Sequence, residues 1–370
     1  MSTGSDRDAE VDRGPEGTTS RSTAAAVPAV GARRILGQRS AARLTVLRGI
    51  FLRRLSGLIA AIVVTMIVFT AINNFFLTYV NLIGLVRSMS TFTIIAFGET
   101  LVLVSGELDL SVGATYGLAA MTFGLLWMHG TPFVLALAAG ILIGVLIGLI
   151  NAWITTVVRV PSFITTLGML SLVQGVTFLI SNSQSINPPS KLSGFGVFEA
   201  LGGLELPFKI PIQIAWLAAV AAIIAFLLHG TLFGFRLAAI GGNPQAARVA
   251  ALPIRRYKLW VFAIAGACAA LAGILDFSFI GSTTPSAGAN LTFPVFAAVI
   301  IGGASLSGGR GTVLGTLIGA FFLSLLSNGL SLLGVGAFAQ LIFVGLVTIG
   351  AVALDRWTTA WGGETQSIQL

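Results

Sequence analysis

The stretch PFVLALAAGILIGVLIGLINAWITTV, residues 132–157, runs for 26 residues without one charged side chain. A helix needs about 20 apolar residues to cross the hydrocarbon core of a bilayer, so this segment is long enough to span it. Gly140, Gly144 and Gly148 recur every four residues within it. That spacing places them on one helix face, a smooth groove for a neighbouring helix rather than a surface for water. Gly311, Gly315 and Gly319 repeat the device.

Outside this stretch the same bias continues. Of 370 residues, 55% are hydrophobic and 9% charged, and the first 54 hold ten Lys/Arg and five Asp/Glu. Nineteen charges are left for the other 316 residues, too few to clothe a water-soluble surface, which is charge-rich. The chain therefore reads as an all-α polytopic membrane protein. The 20-residue ruler gives ten transmembrane helices, at about 55–72, 84–104, 110–128, 132–157, 162–181, 211–229, 258–280, 289–304, 312–334 and 337–354, with 289–304 the shortest. Residues 1–54, rich in Ser, Thr, Gly and charge with no apolar periodicity, read as a disordered cytoplasmic tail. Residues 55–354 form the membrane domain and 355–370 a cytoplasmic C-terminal tail.

Cations fix the orientation. With both termini cytoplasmic, 18 of the 21 Lys/Arg fall on inner segments, Lys191 and Lys209 lie outside, and Arg87 sits within a span. This is the positive-inside pattern of a multi-pass protein of the cell membrane, and not a nucleic-acid surface. The external loop 182–210, with Asn187-Pro188-Pro189 and a Gly-rich run, reads as a structured cap or a docking surface. The internal loop 230–258 holds most of the loop charge. Within it Asn243–Ala250 reads as a short helix, Asn243 as N-cap and Pro244 in the first helical position. Such a helix either ends a span or plugs into a soluble partner.

Laying 106–113 over 302–309 exposes a repeat, G-x-x-[DS]-L-S-x-G, carried by Gly106, Asp109, Ser111 and Gly113 and by Gly302, Ser305, Ser307 and Gly309. Each copy closes one apolar run and opens another. The glycines suit tight turns, and Asp109 or Ser111, like Ser305 or Ser307, is placed to cap the next helix. The repeat is either two similar turns or an internal duplication framing a pathway.

Ionisable groups within spans default to function: Arg87, Glu99 and Asp276, with Glu107 and Asp109 at the turn. Asn73, Asn74, Glu99, Asp276 and Asn290 are the candidates for lining a pathway for a hydroxyl-rich solute. Cys268 stands alone and no His/Cys cluster exists, so no metal site is expected. No lysine follows Gly in a Gly-Lys-Ser/Thr run, so this chain lacks a P-loop, and no hydrolase or zinc signature occurs.

Four ordered motifs resemble the permease subunits of ribose-type ABC importers. They are Ser105-Gly-Glu-Leu-Asp-Leu-Ser-Val-Gly113, Asn151-Ala-Trp with Val160-Pro-Ser-Phe-Ile-Thr-Thr-Leu-Gly168, Gly242-Asn243-Pro244-Gln-Ala-Ala247-Arg248, and Val299-Ile-Ile-Gly-Gly-Ala-Ser-Leu-Ser-Gly-Gly-Arg-Gly311. Departures are Ser105, Ala152 and Ala251 where the family has Gly, and Glu107 where it has Ile. The resemblance implies a non-catalytic subunit with no cofactor of its own, in a homo- or heterodimer with a second permease copy. Cytoplasmic ATPase subunits would bind ATP and Mg, and an external solute-binding protein would deliver a monosaccharide or similar polyol. Gly242, Asn243, Pro244, Ala246, Ala247 and Arg248 would then be the coupling helix contacting the ATPase. The alternative is a standalone facilitator or ion-coupled carrier, against which the sparse titratable groups argue.

Overall fold

The computed structural model describes residues 56–364, and the side chains of 56–350. The expected N-terminal tail lies outside the described residues.

Every one of the ten apolar stretches contains a helix. These are α1 (Ser56–Ile72), α2 (Tyr79–Val104), α3 (Val112–Met128), α4 (Phe133–Trp153), α5 (Ser162–Ile180), α7 (Ile212–His229), α10 (Ile254–Ile280), α11 (Thr292–Ile301), α12 (Val313–Leu332) and α13 (Ala337–Glu364). Six are long and apolar enough to cross a membrane: α2, α4 with its π-helical extension Ile154–Val158, α5, α7, α10 and α12. The stretch 289–304 is helical only as α11, ten residues. At 1.5 Å per residue that is about 15 Å, half a hydrocarbon core. Residues 281–291, carrying Gly281 and Gly288 at positive φ, turn instead of extending the helix.

α2 and α10 form the centre. α10 packs along α4, α2 and α3, while α2 also contacts α12, α7 and α11. The glycine stripe explains the α4–α10 contact. A Cβ at Gly144 would overlap the Gly266 carbonyl, and one at Gly148 the Phe262 carbonyl. The two backbones touch, as small-residue faces permit. Gly315 and Gly319 likewise bring α12 against Gly302 and Ala298. Outward faces stay apolar: Leu135, Leu142 and Ile150 on α4 and Phe163, Leu167 and Leu179 on α5 are exposed, as lipid demands.

The two long loops are ordered. Residues 182–210 contain α6 (Phe195–Gly203) and the start of a two-stranded hairpin, β1 (Glu205–Leu206) with β2 (Ile210–Pro211). Phe195 and Phe198 of α6 join Phe123, Trp127, Phe133 and Phe277 of the bundle in one aromatic cluster, and Trp127 Nε1–H donates to the Ser193 carbonyl. Arg87 reaches this cap. α2 begins earlier than the sequence suggests, so Arg87 lies in its N-terminal third, 3.9 Å from Glu205 and over the Phe279 ring. Loop 230–258 contains α8 (Leu232–Gly242), which the hydropathy pattern does not reveal, and then α9 (Pro244–Val249).

Candidate functional site

Three glycine-bearing segments converge at one end of α2. The α2–α3 turn leaves through Gly106 (φ +80°), and the α11–α12 turn runs through Gly308 and Gly309 (φ +81° and +77°). Gly309 N–H donates to the Val104 carbonyl at 2.9 Å, tying the two repeat turns together. Between them sits the C-terminus of α8. A Cβ at Gly241 would overlap Val104 O and crowd Gly309 N, and one at Gly308 would crowd Gly106 Cα. The repeat of the sequence is thus a pair of touching turns, clasping the segment that leads into α9.

α9 is a single capped turn and a half. Asn243 Oδ1 accepts the Ala246 N–H at 2.9 Å, and Pro244 opens the helix. Its far end closes with Leu252 N–H donating to the Ala247 carbonyl and Ala251 N–H to the Arg248 carbonyl. That Schellman arrangement needs a left-handed residue at Ala251, whose φ is +54°. Ala stands where glycine would be unstrained. Of the predicted coupling residues, Ala247 is buried against the core, so it anchors the helix. Gly242, Asn243, Pro244, Ala246 and Arg248 are exposed, as is Val249 at 91%.

The turns correct the expected capping. Ser111 precedes α3 but makes no side-chain cap bond. Asp109 Oδ1 instead accepts from Ser111 N–H (2.9 Å) and from Ser111 Oγ–H (2.6 Å). Ser305 Oγ makes the corresponding bond from Ser307 N–H (3.3 Å), and Thr312, not Ser305 or Ser307, caps α12 by accepting Gly315 N–H (3.0 Å). Asp and Ser alternate in the repeat because either side chain can fold a turn onto the residue two ahead. Ser162 Oγ accepts Leu108 N–H, and Thr166 Oγ1–H donates to the Leu108 carbonyl, binding the first turn to α5. Lys258, at the start of α10, pairs with Glu107.

Glu99 is fully buried, with Oε1 accepting Asp109 N–H at 3.3 Å. Asn151 of α4 joins it there, donating through Nδ2 to Ser111 Oγ (2.9 Å) and Asp109 Oδ1 (3.4 Å). The structure does not gather the five pathway candidates. Asn73 holds a turn, donating to the Leu332 carbonyl, and Asn74 and Asn290 are exposed. Asp276 accepts the Tyr116 hydroxyl at 2.7 Å. A cavity of about 300 Å³ lies elsewhere, lined by Ala114, Leu170, Gln174, Phe178, Ala289 and Thr292. Gln174 Nε2–H donates to the Pro285 carbonyl beside it. An isolated Gln in an apolar helix was its one trace in the sequence.

Long apolar helices meeting backbone to backbone around paired re-entering turns define a multi-pass membrane protein. The chain belongs to the family of branched-chain amino acid transport system / permease components, whose description matches residues 81–352. It is 36% identical over 297 residues to a ribose import permease protein of Bacillus subtilis (strain 168), covering 80% of this chain and 91% of that one. A ribose import permease protein of Escherichia coli (strain K12) is 35% identical over 302 residues, 81% and 92% of the two chains. A D-allose transport system permease protein from the same strain is 33% identical over 285 residues, 76% and 85%. No solved structure matches. The family resemblance of the four motifs is borne out.

Proposed function

We propose that this chain is the membrane permease subunit of an ATP-driven importer for a monosaccharide or similar polyhydroxylated solute. It crosses the membrane with ten segments, both ends cytoplasmic, and pairs with a second permease copy. Separate ATPase subunits bind ATP and Mg, and an external solute-binding protein docks on the 182–210 cap. The relatives named for ribose import and for D-allose transport support the substrate class.

The observation that carries the reading is α9. It is a short helix capped at both ends, with apolar Val249 and cationic Arg248 exposed, hung from the point where both repeat turns meet. A knob pushed by a partner there moves the ends of α2, α8, α11 and α12 together, a rigid shift able to switch access from one side to the other. Asp109, Ser305 and the glycines shape the turns that receive that push.

The test uses the permease reconstituted with its ATPase. Arg248→Asp is expected to abolish substrate-stimulated ATP hydrolysis while membrane insertion is unchanged. Uptake by the chain in proteoliposomes lacking any ATPase and ATP would establish the carrier reading instead.

A further inference from the structure

Residues 281–291 join α10 to α11 without forming a helix. One end of the segment belongs to the cap: Thr283 exchanges two backbone hydrogen bonds with Ile186, at 2.9 and 3.0 Å. The other end is deep. α11 runs ten residues back from the turn at Gly302, about 15 Å, so Thr292 stands near mid-height in the bundle. α3 marks the descent between them. A Cβ at Gly124 would strike the Ile186 side chain, one at Gly117 the Ala287 carbonyl, and one at Gly113, near the helix start, the Gly288 carbonyl. Residues 283–291 thus cross the outer half of the bundle as irregular chain.

Lipid does not tolerate irregular backbone, which at that depth must be buried in protein or border water. Here it is not buried along its length, for Ser286, Ala289 and Asn290 are exposed. A cavity of about 300 Å³ separates Ser286, Ala289 and Thr292 from Gln174 and Phe178 of α5, a size at the lower end of small-molecule sites. None of its lining residues is charged, so an ion or a zwitterion entering it finds no counter-charge. Apolar walls with an amide and hydroxyls suit a neutral solute that has both C–H faces and hydroxyl groups. Gln174 Nε2–H donates to the Pro285 carbonyl at 2.6 Å, which ties α5 to the segment and leaves Oε1 to accept a hydroxyl. We propose that 283–292 and the Gln174 face of α5 wall the route of a neutral, hydroxyl-bearing solute through the outer half of the membrane. Resting on the permease reading above, the assignment adds where the solute passes and what it meets.

Thiol labelling of the full chain in proteoliposomes tests it. Cys268 is buried, so the wild type is expected to stay unlabelled. Ser286→Cys and Asn290→Cys should react with a water-soluble methanethiosulfonate at least about tenfold faster than Leu142→Cys on the exposed apolar face of α4, because the attacking thiolate needs water. Equal, slow labelling of all three overturns the proposal. So does labelling in dispersed monomers that is lost in the membrane, which would assign this face to contact between copies. In the importer reconstituted with its ATPase and binding protein, full labelling at Ser286→Cys should block uptake; undiminished uptake would overturn the route. The labelling contrast is read without ATP or sugar, so its failure refutes the route, whereas a wild type that imports no monosaccharide refutes the function proposed above.

Discussion

Gly241 and Gly242 are neighbours at the end of α8, and the same substitution should affect them oppositely. A Cβ at Gly241 would drive into the Val104 carbonyl and lie 2.8 Å from Gly309 N, both backbone atoms that no rotamer can move aside. A Cβ at Gly242 would meet Gly309 Cα at 3.7 Å, ordinary contact. Overpacking against a fixed neighbour costs about 1–3 kcal/mol. Separating the segments also stretches the Gly309–Val104 hydrogen bond, about 1 kcal/mol. The gain in helix propensity from Gly to Ala, up to about 1 kcal/mol, offsets part of this at Gly241 and is the main effect at Gly242. Gly241→Ala should therefore lose about 2 kcal/mol, while Gly242→Ala is neutral or slightly stabilised. The single cysteine, Cys268, is buried, so a thiol-reactive dye reports unfolding directly. In that assay Gly241→Ala should melt about 4–8 °C below wild type and Gly242→Ala at or above it. If the two variants melt together, the backbone clasp around Gly241 is not what holds these segments.

Ala251→Gly removes a side chain from a left-handed residue and should raise stability by about 1 kcal/mol in the same melt, since the strain relieved exceeds the added freedom of the unfolded chain. An unchanged or lowered Tm would mean the C-terminal closure of α9 is not strained. The partly buried Glu107–Lys258 pair ties the first turn to α10. Glu107→Lys or Lys258→Glu alone should cost about 1–3 kcal/mol, and the double exchange should recover most of it; a double variant no better than the singles refutes the pairing.

Hydropathy located ten helices because lipid demands long apolar runs, and composition alone revealed them. It overextended 289–304 by three residues at each end, where Ala289-Asn290-Leu291 completes the turn after Gly288 and Gly302-Gly303-Ala304 begins the next one. It passed over α8, which the short run Leu232–Gly242 between two loop signals hides. Asn243 and Pro244 were legible as a cap because capping chemistry is local. The junction of Gly106, Gly241 and Gly309 was not, since glycines 68 to 203 residues apart carry no sign of mutual contact. The Glu99–Asn151 association was equally hidden: each looks like an isolated polar group in its own span, and only the fold of α4 against the α2–α3 turn joins them. Asp276 and Asn73 are polar residues whose hydrogen bonds within the bundle, to the Tyr116 hydroxyl and to the Leu332 carbonyl, no pattern in the sequence announces.

The glycine junction also explains how a displacement at α9 can be transmitted without being absorbed. Side-chain contacts have rotamers, and a push on one is partly taken up by torsion. At Val104, Gly241 and Gly309 the contacting atoms are main chain, joined by the Gly309–Val104 hydrogen bond. Moving Gly241 by an ångström must move both turns or break that bond. Downstream, α12 follows because Gly315 abuts Gly302, and α4 follows α10 through Gly144 and Gly148. A bundle jointed in this way responds as a few rigid bodies, which is the behaviour a gate driven from one external point requires. The small residues that let these helices approach closely are therefore the same ones that make the motion of one helix obligatory for the next.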